Sequence, residues 1–136
     1  MVPSREEIDH ARDLFGRFAQ DYGAITTGRM FGGTAFYVED DVMFACLLGG
    51  TIWMKSDGST RAAFETAGSR PFSYDKAGGT MVVPSLMSLP DSAVDDPDEA
   101  MAWARLSYAP ALKAAKDKRH QKARKAARKA TRKDQA

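Results

Sequence analysis

The chain has 136 residues, 43% of them hydrophobic and 10% aromatic, which suits one globular domain with a sizeable core. No apolar run approaches the roughly 18 residues that span a bilayer. The polar start Met1-Val2-Pro3-Ser4-Arg5-Glu6-Glu7 has no signal-peptide core, so a cytoplasmic location is expected. The net charge of +2 conceals a division: residues 1–112 carry 9 Lys/Arg against 16 Asp/Glu, net −7, whereas residues 113–136 carry 11 Lys/Arg against 2 Asp, net +9. An acidic domain over 1–112 followed by a basic tail over 113–136 is the organisation this implies.

Ser4-Arg5-Glu6-Glu7 has the form of a capping box, in which the Ser4 hydroxyl accepts from the Glu7 N–H and the Glu7 carboxylate reaches back. Ile8, Ala11, Leu14, Phe15, Phe18, Ala19 and Tyr22 recur at helical spacing, and Gly23 can end the helix in a left-handed conformation. This predicts one helix over about 4–22. The period then changes. Arg29-Met30-Phe31-Gly32-Gly33 opens a strand-like block running to about Lys55, and the glycine pair reads as a bulge or close approach at the start of the first strand. A phosphate loop would need G-x-x-x-x-G-K-[ST] before a helix, and that spacing is absent.

Phe36, Val38, the run Met43–Leu48 and Ile52-Trp53-Met54 are apolar clusters separated by turn signals at Glu39-Asp40-Asp41 and Gly49-Gly50, which gives three antiparallel strands. Ser59 or Thr60 can cap a short helix bearing Ala62, Ala63 and Phe64, closed by Gly68. Pro71–Tyr74 and Thr80–Val83 flank Gly78-Gly79 as a second hairpin, and Pro84 and Pro90 bound a loop. Asp96 as N-cap, Pro97 at the first position and Glu99 at the third start a last helix anchored by Trp103. Pro110 is expected to stop or kink it near Tyr108. The order α-β-β-β-α-β-β-α argues an α+β two-layer domain with an antiparallel sheet.

From Lys113 onward the composition shifts to Lys, Arg and Ala, all good helix formers, with no apolar face to dock, so a helical, frayed or disordered tail is expected. Lys118, Lys122, Lys125, Lys129, Arg132 and Lys133 fall within about 100° of one another on a helical projection.

Catalytic chemistry finds little purchase. Cys46 sits in the apolar run and reads as a small buried hydrophobe. His10 is the only histidine of the body, so neither a Ser/His/Asp nor a Cys/His arrangement is suggested. The acidic runs at 39–41 and 95–98 lack the alternating ligands and central glycine of a calcium loop and read as a hairpin tip and a helix cap. No enzyme, metal or cofactor is expected.

The ordered set Arg29-Met30-Phe31-Gly32-Gly33, Phe36-Tyr37-Val38, Phe44-Ala45, Trp53-Met54-Lys55, Arg61-Ala62-Ala63-Phe64, Pro71-Phe72-Ser73-Tyr74 and Trp103-Ala104-Arg105 resembles the TfoX (Sxy) N-terminal domain over about residues 5–109. The resemblance implies a small α+β fold and a non-enzymatic role in switching on competence genes together with the cyclic-AMP receptor protein. Three features depart from the family pattern. Ala35 stands where a third glycine is common, Ser85-Leu86 replace a tyrosine-rich strand end, and the Lys/Arg/Ala segment stands in place of a helical C-terminal domain.

The expected contacts follow from charge and motif. Lys113, Lys116, Lys118, Arg119, Lys122, Arg124, Lys125, Arg128, Lys129, Arg132 and Lys133 are candidates for sequence-independent contact with duplex DNA, since Lys and Arg neutralise phosphates and release counterions. With no aromatics in the tail, a single-strand stacking platform is not suggested. Arg29, Phe31, Gly32 and Gly33 are candidates for a protein-interaction surface, whose partner by resemblance would be a transcription factor such as the cyclic-AMP receptor protein. Two alternatives accompany this reading: a protein-interaction module whose tail only sets solubility or location, and a tail that folds back on the acidic body. Exposed aromatics around Tyr37 and Tyr74 would favour the interaction module.

Overall fold

Ser4 and Glu7 form the expected capping box in the computed structural model, which describes residues 3–134: the Glu7 N–H donates to Ser4 Oγ at 3.2 Å and the Ser4 N–H to Glu7 Oε1 at 3.3 Å. The helix they start is not continuous. It divides into α1 (Arg5–Leu14) and α2 (Gly16–Tyr22), with Phe15 between them at φ −96°, ψ 14°. Gly16, a weak helix former, follows the break. The break turns Phe15 and Phe18 together onto Phe44, at ring-centroid distances of 5.2 and 4.7 Å. All seven residues of the predicted apolar face lie in or against the core.

Six antiparallel strands follow: β1 (Thr26–Met30), β2 (Gly33–Val38), β3 (Val42–Leu48), β4 (Thr51–Lys55), then β5 (Pro71–Lys76) and β6 (Gly79–Ser88) after the short α3 (Arg61–Thr66). Their spatial order is β1-β2-β3-β4-β6-β5. The α+β class and antiparallel sheet stand as expected, but the first block holds four strands rather than three. Thr26-Thr27-Gly28 lacks the apolar alternation that marks a strand, because β1 is an edge with exposed threonines. Consequently Phe31-Gly32 is not a bulge at a strand start. It is the two-residue turn of the β1–β2 hairpin, closed by the Met30–Gly33 pair, with φ of 48° and 77°. Positive φ at both central residues matches the right-handed twist of the flanking strands.

The sheet is buried on both faces at its centre. Phe36, Val38, Phe44, Leu47 and Met54 face the helices, while Ala35, Cys46, Leu48, Trp53 and Leu86 form a second cluster on the opposite face. A register shift opposite Phe36-Tyr37 leaves Phe44 as an extra residue in β3, so Phe44 and Ala45 both join the helix-side core. On the other face Phe72 packs edge-on against Trp53 at 5.1 Å, and the Arg70 guanidinium lies 5.4 Å from the same ring.

After a single 3-10 turn at Asp91–Ala93, α4 (Pro97–Asp134) runs for 38 residues. Asp96 caps it as expected, its Oδ1 accepting from the Asp98 and Glu99 N–H groups at 3.1 and 3.2 Å. Trp103 packs against Phe64 at a ring-centroid distance of 4.7 Å and Tyr108 against Tyr22 at 4.5 Å, both pairs tilted. Pro110 does not end this helix. Its ring is buried at the docked face, and the helix formers on both sides carry the backbone across it. Residues 113–134 continue as helix.

Candidate nucleic-acid interface

The docked and free halves of α4 share one stripe. Ala100, Ala104, Ser107, Ala111 and Ala115 are buried against the body and recur every three or four residues. Small side chains there let the helix lie close on the sheet. Beyond Ala115 every described residue up to Arg132 is exposed, a free length of about 25 Å at a rise of about 1.5 Å per residue. The buried stripe continues in phase into Lys118, Lys122, Lys125, Lys129 and Arg132. The face that meets the sheet with alanines therefore leaves it as a line of cations.

The other predicted cations are distributed around this line. Arg124 and Arg128 fall on one flank, and Lys113 and Lys116 on the far side. Lys133 lies in the helical backbone, with its side chain outside the described residues. Arg119 is committed elsewhere: its Nε donates to Asp41 Oδ2 at 2.7 Å, and its Nη2 holds the other carboxylate oxygen. That hydrogen-bonded fork, with Lys122 nearby, holds the Asp41 carboxyl below its usual range. Next to it the Tyr108 hydroxyl donates to both Glu39 oxygens at 2.7 and 2.8 Å, and the bond pushes its pKa up to about 12. Glu39–Asp41, the β2–β3 turn, is thus the hitch that fastens α4 where it leaves the body. Sequence reasoning placed the turn but had no signal for its partners, which lie 69 and 78 residues away.

The four residues predicted for protein interaction lie together on the β1–β2 hairpin. Phe31 is 85% exposed at its tip, and Arg29 is exposed on β1. Gly33 is buried: a Cβ there would sit 2.2 Å from the Leu47 carbonyl oxygen and 2.4 Å from a Leu48 methyl. From this tip an apolar groove of about 500 Å³ runs to the β5–β6 hairpin, walled by Phe31, Met43, Phe72, Tyr74 and Val83. Tyr74, Met81 and Val82 are exposed beside it, whereas Tyr37 is half-buried.

Ordinary reactive groups are muted. Cys46 is fully buried, and burial pushes its thiol up to about 12. His10 is exposed near Asp95 at 3.8 Å. Among the described residues no group of three or more His, Cys, Asp or Glu is placed to hold a metal, and no helix is long and apolar enough to cross a membrane.

An antiparallel sheet backed by helices, with a β1–β2 hairpin whose Gly33 is buried, defines an α+β domain. Residues 16–111 match the TfoX N-terminal domain family, and the chain belongs to that family. No curated protein matches it. The match ends at Ala111, so the free basic part of α4 lies outside it.

Proposed function

We propose that this chain is a non-enzymatic, TfoX-like regulatory protein of the cytoplasm that contacts duplex DNA through the free half of α4, in a transcriptional or competence role. The observation that carries this reading is the exposed line Lys118, Lys122, Lys125, Lys129 and Arg132, held out from an acidic body by a docked helix. A rigid row of cations on one helix face follows a phosphate backbone without reading bases, so the contact is sequence-independent. The body then remains available to a transcription factor, with the cyclic-AMP receptor protein as the first to test.

The test is a salt titration of duplex binding by the full chain. Neutralising about six phosphates gives log K against log[salt] a slope near −5. Replacing Lys122, Lys125, Lys129 and Arg132 together by Gln should remove about three to four units of that slope. Flat, weak binding by the unaltered chain would reject the DNA contact. A second reading, a protein-interaction module whose tail only sets solubility or location, draws support from exposed Phe31 and Tyr74 flanking the apolar groove.

A further inference from the structure

We infer that the root of the free helix holds a phosphate-binding pocket formed by Arg29, Lys55 and Lys118. The three come from β1, the end of β4 and α4, and line one cavity of about 330 Å³. Among the described residues none of them makes an ion pair. Asp41 shares the cavity wall, but Arg119 already grips both of its oxygens. The neighbouring Glu39 accepts from the Tyr108 hydroxyl. Asp41 and Glu39 are therefore engaged, while Arg29, Lys55 and Lys118 border the same cavity, with Tyr37 and Met43 in its wall.

Lys55 shows the imbalance most clearly. It is half-buried, and burial together with the Lys118 charge draws its pKa below the ordinary lysine value. A desolvated ammonium without a counter-charge is unfavourable unless something anionic enters. Phosphate supplies that charge with several acceptor oxygens, enough for an arginine fork and two ammonium groups at once. Lys118 is also the first residue of the exposed line, so a backbone phosphate seated here would set where a duplex begins along the helix. In that respect the inference rests on the DNA reading. The cation cluster itself does not, and a free phosphate or phosphorylated small molecule offers the same chemistry.

Two titrations of the full, nitrogen-15-labelled chain separate these cases. Inorganic phosphate, against chloride at equal ionic strength, should shift amides around residues 29, 55 and 118 while leaving 125–132 still, and Arg29→Gln or Lys55→Gln should erase the response. Arg29 is exposed, so its replacement leaves the fold intact even if that of Lys55 does not. In the duplex titration each substitution should lower the salt slope by about 1. Phosphate shifts without any duplex binding would keep the pocket, assign it a free phosphate source, and reject the DNA reading. Duplex binding with an unchanged slope in both variants, and phosphate shifts that are absent or spread evenly along the helix, would overturn the pocket and leave the DNA reading standing.

Discussion

At Phe31 the backbone adopts φ 48°, where the Cβ of an ordinary residue crowds its own peptide, yet the ring that causes this crowding is 85% exposed. Exposure on that scale leaves little burial to offset the strain of a left-handed backbone at a non-glycine residue. Phe31→Asn, which makes the favoured Asn-Gly turn, should stabilise the protein by about 1 kcal/mol in urea denaturation. Gly33 is the opposite case. Gly33→Ala drives a methyl into the Leu47 carbonyl, which the β2–β3 ladder prevents from moving, and should cost about 3 kcal/mol in the same measurement. Both residues stood out in the sequence, as did the close approach at the glycine pair. The turn itself did not, because its partner strand Thr26–Met30 carries no apolar alternation.

At the scale of the element, α4 is two helices in one: a half held by burial and a half held by composition. Its capping residues, its Trp103 anchor and the cationic phase of its end were all readable, because they depend on neighbours within a turn. The passage through Pro110 was not readable. A proline removes one hydrogen bond, and that local cost is outweighed where the helix is already docked on both sides of it. The place where docking ends gives a prediction. A chain cut after Lys118 loses only the exposed Arg119–Asp41 pair from the body and should unfold at nearly the same urea midpoint as full length. A cut after Leu112 also strips buried Ala115 from the core and should unfold measurably earlier in the same urea series.

For the whole molecule, the −7 body and the +9 tail do not collapse onto one another. Among the described residues the tail makes one ion pair with the body, Arg119 to Asp41, and the cations of the line stay exposed. The Tyr108–Glu39 bond sets a pH dependence on how the helix is held. Because Tyr108 keeps its proton to about 12 in the fold, its contribution is complete below the ordinary tyrosine value of 10.0 and is lost as pH rises through 12. Thermal unfolding of Tyr108→Phe should therefore fall less steeply than that of the unaltered chain between those two values. Equal slopes would show that the bond does not fasten α4.

Amphipathic period, capping residues, turn glycines and charge are encoded within a few residues of one another. From these the α+β class, the three tight turns after β2, β3 and β5, the caps of α1 and α4 and the basic face of the tail followed without coordinates. What joins distant segments did not follow: the β1 edge pairing, the fork of Arg119 on Asp41, and Arg29, Lys55 and Lys118 around one cavity. Those depend on which side chains the folded sheet and the docked helix carry into one another's reach, and local pattern holds no record of that distance.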